Sequence, residues 1–278
     1  MELKIKICFF VFPFILRVRI TGQHVLYLLL LILFALQACA QKEAYDKIKD
    51  FYKGTDKQGY RYIPQLRFID ENEIPIGEDK EIIQIMLIRH GIPIIDRANW
   101  ITFYEASNFV TAYDTVAVYE ILDIPVDIKP GEIDKIYSSP LMRARSTAEQ
   151  MFGDEFNIVY DSIFREFKNE IVPIPWIRLP LSLWRVSSRI FWMIGLHSEN
   201  VPSLKSERRR ARQAAEKLAE AALKEQHVIL VAHGFINRFM IQYLKNQGWH
   251  HSYDGGFEYT NVQVMSKIVE SNKTVDRE

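Results

Sequence analysis

A pattern that occurs twice constrains the fold of this chain more than any other feature of its sequence. Residues 85–91 read IMLIRHG and residues 228–234 read VILVAHG, so each apolar run stops at His-Gly. Apolar runs of this length, rich in Ile, Val and Leu, are typical of strands buried on both faces of a parallel sheet. Because ligands bind at the carboxyl ends of such strands, the pattern predicts that His90 and His233 meet over one pocket. For either histidine alone, a local hydrogen bond at its strand end is the simpler interpretation.

The chain downstream of residue 82 alternates between strand and helix patterns. Strands are predicted near residues 83–90, 135–138, 157–160, 227–232 and 261–269, and helices near residues 104–122, 143–152, 203–225 and 235–246. Alternation of this kind predicts a three-layer α/β fold, in which helices flank a mostly parallel central sheet.

Composition limits the classes of function. The 278 residues carry a formal net charge of +0, whereas nucleic-acid binders usually show a basic excess, so we expect no nucleic-acid partner. Both cysteines, Cys8 and Cys39, precede residue 40, which excludes a disulfide framework or a Cys-based zinc site further along the chain. The length permits one large domain or two small ones.

The N-terminal segment differs in kind from the rest of the chain. Basic residues precede an almost wholly apolar stretch, Val25 to Leu36, and residues 36–39 read LQAC. A basic region, an apolar region of about a dozen residues and a small residue before the cut form the pattern of a secretory signal. With a Cys after Ala38, the tetrapeptide resembles a bacterial lipobox. This resemblance implies cleavage before Cys39, lipidation of its thiol and anchoring to a membrane of the cell envelope.

Two alternatives stay open for this segment. The first is an uncleaved anchor helix, although Val25 to Ala40 is short for a bilayer span, which needs about 20 apolar residues. The second concerns the unusually long basic region alone: a start codon downstream of Met1 would shorten it. We therefore divide the chain into a signal or anchor segment (1–38), a tether and irregular segment (39–80) and a catalytic domain (81–278).

Two further segments lie at predicted strand ends. Residues 137–145 read YSSPLMRAR and open a helix that contains Thr147-Ala148-Glu149, and residues 164–167 read FREF. Together with the two His-Gly segments, in this order, they resemble the histidine phosphatase superfamily, in the branch that includes cofactor-dependent phosphoglycerate mutases and broad phosphatases. The resemblance covers about residues 83–269 and implies a phosphoglycerate mutase-like fold.

The residue types in these segments suit the transfer of a phosphoryl group. Arg89 and Arg143 offer forked donors that match its oxygens. His90 can attack phosphorus and form a phosphohistidine, and His233 can donate to a phosphate oxygen in the transition state. Glu166 is available to protonate the leaving oxygen, and a nearby phosphate favours its protonated form because like charges disfavour the anion. The resemblance implies these same roles.

Other residues are weaker candidates. Backbone N–H groups at helix N-termini after Gly91 and Gly234 are expected to add to the phosphate site. Many relatives carry an Asn a few residues after Arg-His-Gly, but Asp96 occupies this place, and a carboxylate there repels phosphate. Trp100 and Tyr104 are possible substrate-pocket residues, although core packing explains these aromatic residues equally well. Two arginines and two imidazoles can carry the charge, so we expect neither a metal nor a cofactor.

Residues 173–195 stand apart because they combine prolines with three tryptophans and three arginines. They predict a lid over the pocket, a face that lies on the membrane, or an insertion whose aromatic residues fill the core. The sequence leaves these three readings open.

The sequence therefore predicts an envelope-anchored phosphomonoester hydrolase that acts on a small phosphorylated substrate through a phosphohistidine. A phosphomutase of the same superfamily is one alternative, but it needs a pocket that retains a bisphosphate. A lipoprotein that binds phosphorylated ligands without catalysis is the other, and the complete set of reactive residues argues against it.

Overall fold

The structure is a computed structural model that describes residues 38, 40–52, 65–70, 73–77, 79–96, 99–174 and 176–271. The chain divides into two units, residues 1–47 and residues 48–278. In the first unit, residue 38 and residues 40–47 are helical, and the rest of the predicted signal segment lies outside the described residues together with the predicted lipidation site Cys39. None of the helices in the described part of the chain has the length and hydrophobicity that a membrane crossing needs.

The second unit alternates strands and helices along most of its length. Its strands are β1 (Lys80–Arg89), β2 (Trp100–Ile101), β3 (Ile136–Ser138), β4 (Ile158–Tyr160), β5 (Leu179–Pro180), β6 (His227–Ala232), β7 (His250–Asp254) and β8 (Val262–Glu270). Its helices are α1 (Phe103–Tyr113), α2 (Met142–Phe152), α3 (Leu181–Met193), α4 (Leu204–Glu225) and α5 (Gly234–Asn246). The predicted elements are present within a few residues, except that α1 ends well before residue 122.

Six of these strands form one sheet in the order β4-β3-β6-β1-β8-β7. The strands β4, β3, β6 and β1 run parallel to one another, whereas β8 pairs antiparallel with β1 and β7 pairs antiparallel with β8. The register between β1 and β6 sets Arg89 opposite Ala232, and the His90 N–H donates to the Ala232 carbonyl at 3.0 Å. Both strands therefore end at the same level, and the residues that follow them leave the same edge of the sheet.

Successive side chains of β1 enter apolar layers on the two faces of the sheet. Ile85 and Leu87 belong to a buried cluster that α4 and α5 share, through residues such as Leu218 and Met240. Their neighbour Met86 points to the opposite face, since side chains alternate along a strand, and is equally buried. Helix α2 contacts β3 and β6. These contacts confirm the predicted α/β class, a mostly parallel central sheet flanked by helices.

The segment before β1 is more ordered than the tether that the sequence predicts over residues 39–80. Within the second unit, several apolar residues of this segment are buried, among them Ile48, Leu66 and Phe68. The buried amide of Gln84 in β1 donates to the Tyr52 hydroxyl at 2.7 Å and accepts from the Ile69 N–H at 2.7 Å. The described part of residues 65–77 is irregular, as predicted, but several of its apolar residues are buried.

The structure assigns the residues of the 173–195 segment to different environments. Trp184 and Trp192 are buried, and their indole N–H groups donate to the carbonyls of Ile101 and Pro202 at 2.9 and 2.8 Å. Strands β2 and β5 pair and fix the start of α3. Trp176 is fully exposed. The segment thus fills core with two of its tryptophans and presents the third to solvent.

Candidate active site

The two histidines that end β1 and β6 lie side by side. The centroids of the His90 and His233 rings are 5.2 Å apart. His90 is 3% exposed, and its Nδ1 lies 2.8 Å from the carbonyl oxygen of Gly91. A carbonyl only accepts, so Nδ1 carries the proton and Nε2 keeps its lone pair. The contact with Gly91 therefore orients the ring of His90, the predicted nucleophile, and leaves its basic Nε2 outside that contact.

Burial and positive charge keep both imidazoles neutral. Burial is the largest cause that lowers the pKa of His90 well below its usual value, and the nearby Arg143 guanidinium is the next. The same two causes, in the same order, lower the pKa of His233. Neutral His90 at physiological pH is the protonation state that nucleophilic attack requires.

A serine hydroxyl determines which nitrogen of His233 faces the site. His233 Nε2 lies 2.8 Å from Ser139 Oγ, and the same oxygen accepts from the Leu141 N–H at 3.3 Å. With that N–H as its donor, the Ser139 hydroxyl is free to donate its own proton to Nε2. In the tautomer in which Ser139 donates to Nε2, the proton of the neutral ring resides on Nδ1, which is then a donor.

Each arginine is held by an aromatic ring and by a carbonyl. The Arg143 guanidinium lies 4.6 Å from the centroid of the Tyr113 ring, and its Nη1 donates to the Tyr113 carbonyl at 2.9 Å and to Asp114 Oδ1 at 2.8 Å. The Arg89 guanidinium lies 4.2 Å from the centroid of the Tyr259 ring and donates to the carbonyl of Phe257. Stacking and hydrogen bonding together fix the planes of both forks.

Three buried nitrogens at this site have no hydrogen-bond partner among the described residues: Arg89 Nε, Arg143 Nε and His233 Nδ1. A buried polar group without a partner costs about 1–3 kcal/mol, so three of them at one site point to a ligand that pairs with them. Each carries an N–H in the protonation states argued above. An anion that accepts several hydrogen bonds is the chemical complement of this set.

A threonine ties the His90 strand end to the Arg143 helix. Thr147 Oγ1 accepts from the Gly91 N–H at 2.9 Å and donates to the Arg143 carbonyl at 2.6 Å. This hydroxyl couples the backbone after the nucleophile to the first turn of α2. Its place in the Thr-Ala-Glu segment was visible in the sequence, but its partners were not.

Glu166 is beside the pocket and caps α5. Its Oε2 accepts from the Phe235 N–H at 3.1 Å, and its Oε1 accepts from the N–H groups of Ile236 and Phe167 at 3.1 and 3.0 Å. A carboxylate at a helix N-terminus is stabilised by those N–H groups and by the helix dipole. The first-turn donors of α5, which the sequence assigned to phosphate, thus bind Glu166.

These residues surround a pocket of about 550 Å³. His90, Glu166 and Gly234 line it, whereas His233 is completely buried behind the lining. Seven basic residues line the pocket against three acidic ones: Arg89, Arg143, Arg165, Lys168, Arg185, Arg189 and Arg238 against Asp114, Glu166 and Glu258. The excess of positive charge favours an anionic ligand.

Some residues that the sequence proposed for the pocket lie elsewhere. Asp96, Trp100 and Tyr104 are exposed and do not line the pocket, so the carboxylate of Asp96 does not oppose the phosphate-binding groups. No helix begins within residues 91–96, the described stretch directly after His90, because Pro93 forms a bridge with Val118 there instead. The predicted helix N-terminus at Gly91 is therefore wrong, whereas α5 begins at Gly234 as predicted.

Other residues at or beside the pocket come from segments with several sequence-based interpretations or none. Tyr113 comes from α1, Tyr259 from the loop before β8, and Arg185 from α3. Burial, followed by a hydrogen bond with Tyr259, raises the pKa of Tyr113 to about 12, so its hydroxyl stays neutral. Their positions depend on how remote segments pack around the strand ends, which local patterns do not reveal.

The sequence model of the histidine phosphatase superfamily (branch 1) matches residues 126–275, which include Arg143, Glu166 and His233. The chain therefore belongs to the histidine phosphatase superfamily. This match confirms the resemblance drawn from the motifs. Arg89 and His90 precede the matched residues, and the pairing of β1 with β6 brings them to the same edge of the sheet as His233. A search of curated proteins found no match.

Solved structures of low identity are similar to this chain. A mycobacterial glucosyl-3-phosphoglycerate phosphatase is 15% identical over 67% of this chain and 91% of its own, with a TM-score of 0.39. A phosphoserine phosphatase variant from Entamoeba histolytica, in complex with phosphoserine, is 17% identical over 68% and 96%, with a TM-score of 0.36. A phosphoglycerate mutase from Bacillus anthracis is 16% identical over 69% and 90%, with a TM-score of 0.41.

Proposed function

We propose that this chain hydrolyses phosphomonoesters through a phosphohistidine on His90. The observation that carries the proposal is the group of three buried donors, Arg89 Nε, Arg143 Nε and His233 Nδ1, that have no partner among the described residues. A phosphoryl group supplies acceptors for all three, and its charge matches the basic lining of the pocket.

In the first step, the lone pair of His90 Nε2 attacks phosphorus and the bond to the ester oxygen breaks. The Arg89 and Arg143 forks and His233 Nδ1 donate to the phosphoryl oxygens, whose charge shifts in the transition state. The hydrogen bond from His90 Nδ1 to the Gly91 carbonyl stabilises the positive charge that develops on the ring as the N–P bond forms.

Glu166 supplies the proton that the leaving oxygen needs. Oε2 accepts from only one backbone N–H, that of Phe235, whereas Oε1 accepts from two, so Oε2 retains a position for a proton. Binding of an anionic substrate beside the carboxyl group favours proton uptake there, because the proton removes a like charge.

The second step returns the enzyme to its starting state. A water molecule gives a proton to the Glu166 carboxylate and attacks phosphorus. The N–P bond breaks, its electron pair returns to His90 Nε2, and inorganic phosphate leaves. Two arginines and two imidazoles carry the charge in both steps, so the proposed reaction uses no metal and no cofactor.

Turnover of p-nitrophenyl phosphate by the purified full chain tests the proposal. We expect release of nitrophenol and phosphate that a chelator does not suppress. Rapid quenching with labelled substrate should trap phosphate that is acid-labile and attached to His90. The proposal is wrong if neither this ester nor a panel of sugar, lipid and nucleotide phosphates is hydrolysed, and the metal-free mechanism is wrong if one metal specifically restores chelated enzyme.

We also propose that the chain is a lipoprotein of the cell envelope, anchored through Cys39. The LQAC motif at residues 36–39 and the apolar stretch before it support this location. Intact mass of the protein purified from a bacterial membrane fraction tests it. A chain that begins at Cys39 and carries acyl groups supports the proposal, and Cys39→Ser should abolish that mass increment. An unmodified chain that retains residues 25–38 supports an uncleaved anchor instead.

A further inference from the structure

Exposed apolar side chains are concentrated around one helix of the second unit. Of the sixteen large apolar side chains that are exposed in the described residues, eight lie between residues 176 and 196. They are Trp176, Ile177, Leu183, Val186, Ile190, Met193, Ile194 and Leu196. Apolar side chains scattered singly over a surface need no explanation, but a contiguous group marks an interaction site.

Helix α3 presents three faces, which follow from its turn of 100° per residue. The buried face is formed by Leu181, Trp184, Ser188 and Trp192. The pocket side carries Ser182, Arg185 and Arg189. The remaining side, opposite the buried face, carries a line of exposed apolar residues that we call the outer stripe: Leu183, Val186, Ile190 and Met193.

The outer stripe meets the pocket at one residue. Val186 belongs to the stripe and also lines the pocket, next to Arg185. An apolar surface therefore continues into a cavity whose basic residues outnumber its acidic ones by seven to three. A ligand that matches both parts has an anionic head and an apolar tail.

We infer that the outer stripe lies on a lipid bilayer and that the neighbouring pocket takes phosphomonoesters of membrane amphiphiles. Three observations select lipid as the occupant: the apolar-to-cationic gradient at Val186, the full exposure of Trp176 beside the helix, and the lipobox-like segment that ends at Cys39. An exposed tryptophan next to a short helix that carries exposed aliphatic residues and arginines is typical of a surface that lies in the membrane interface. The inference rests on the proposed phosphatase function and names its substrate class.

Tryptophan quenching tests contact between the stripe and lipid. Ile190→Trp places a reporter in the outer stripe, and Leu223→Trp places one at an exposed apolar position of α4 as the control. Each full-length variant is reconstituted, through its own N-terminal segment, into vesicles of phosphatidylcholine and phosphatidylglycerol with brominated acyl chains. We expect the added emission to be quenched at least about threefold more at position 190 than at position 223.

Two results of this experiment would overturn the inference. Equal quenching at both positions, or none at either, removes the stripe from the bilayer. Emission from position 190 that is shifted to the blue without vesicles, depends on protein concentration and resists brominated lipid shows that a second copy of the chain covers the stripe.

Enzyme kinetics test the substrate class separately. The variant L183Q/I190Q removes two stripe residues that do not line the pocket, and L223Q is its control. The rate of L183Q/I190Q on phosphatidate in phosphatidylcholine vesicles should fall about tenfold, because interfacial binding scales with the apolar area that enters the lipid. The rate of the same variant on soluble p-nitrophenyl phosphate should not change. Equal losses on both substrates contradict the inference.

The unmodified chain separates this inference from the function on which it rests. Turnover of p-nitrophenyl phosphate without any turnover of vesicle phosphatidate rejects the lipid substrate and leaves the phosphatase intact. Failure on both substrates rejects the phosphatase itself.

Discussion

The two sides of the pocket are built in contrasting ways. On one side, His90 and His233 follow directly from adjacent parallel strands whose register fixes their separation. On the other, Arg185 and its neighbours come from a helix that two short strands hold in place and that is only half buried. The first side is defined by backbone hydrogen bonds and its chemistry is readable from motifs. The helix side is defined by side-chain packing, and we expect it to influence which substrate enters the pocket.

Removal of the nucleophile should have the largest effect of any single change on the strand side. His90→Ala should lower kcat by at least about a thousandfold, because a covalent step is lost with it, and the phosphoenzyme should no longer be trapped. Rapid-quench kinetics on p-nitrophenyl phosphate measure both quantities. A rate close to that of the unmodified enzyme would show that another residue is the nucleophile.

Loss of Arg143 should be the next largest effect. Arg143→Ala removes a buried fork beside His90 and should cost about 2–5 kcal/mol in kcat/KM, a cost typical of a buried charged contact left unpaired. Arg145→Ala is the matched control, since Arg145 is on the same helix but is exposed and paired with Glu149 at 2.9 Å. Arg143→Lys should recover only part of the loss; complete recovery would mean that charge alone matters.

Replacement of Glu166 should discriminate between substrates. Glu166→Gln should slow hydrolysis of an alkyl phosphate by about 10²–10³, and that of p-nitrophenyl phosphate much less, because an acidic phenol leaves without a proton. Glu170→Gln, at an exposed residue that accepts from Ser198, serves as the control. If both substrates slow equally, Glu166 acts through its cap on α5, and a lowered Tm would accompany that result.

Loss of Arg185 from the helix side should be milder. Its guanidinium lies 5.2 Å from the centroid of the Tyr113 ring and is partly exposed. Because an exposed ionic contact is worth up to about 1 kcal/mol, Arg185→Ala should reduce kcat/KM about fivefold. The loss should differ between substrates with small and large leaving groups. A thousandfold, substrate-independent loss would erase the distinction between the two sides.

The dependence of stability on pH tests the protonation state of the two histidines without any substrate. The unfolded chain protonates His90 and His233 below about pH 6.5, whereas the folded protein keeps both neutral because their pKa values are lowered. The free energy of unfolding should therefore fall as the pH decreases below 6.5, by at most about 1.4 kcal/mol per histidine and pH unit. Urea unfolding of the unmodified chain and of H90Q/H233Q between pH 7.5 and 5.5 compares the slopes. Identical slopes would contradict the assignment of neutral imidazoles.

Sequence patterns predicted the elements whose residues interact mainly within one strand or helix. The two His-Gly strands are apolar throughout because both faces are buried, and Ser203 caps α4 by accepting from the Ser206 N–H. These features depend on neighbours a few residues away, so they are visible in the sequence. The loop after Gly91 was mispredicted because its partner, Val118, is distant in the chain and pairs with Pro93.

The candidate site shows the same division. Arg89, His90, Arg143, Glu166 and His233 come together as the motifs indicated, although their catalytic roles remain proposals. The residues that orient them, Ser139 for His233 and Tyr113 for Arg143, were not predicted. Orientation arises where separate segments pack, and no single segment encodes it.

The buried amide of Gln84 determines where a functional piece of this chain must begin. Its hydrogen bonds reach back to Tyr52 and Ile69 and across to Ser266, so a protein shortened to the motif-bearing region would lose two of the three partners of that amide in the middle of β1. Each lost partner would cost about 1–3 kcal/mol, applied to the very strand that carries His90. The folded domain therefore extends further toward the N-terminus than the stretch that its motifs define.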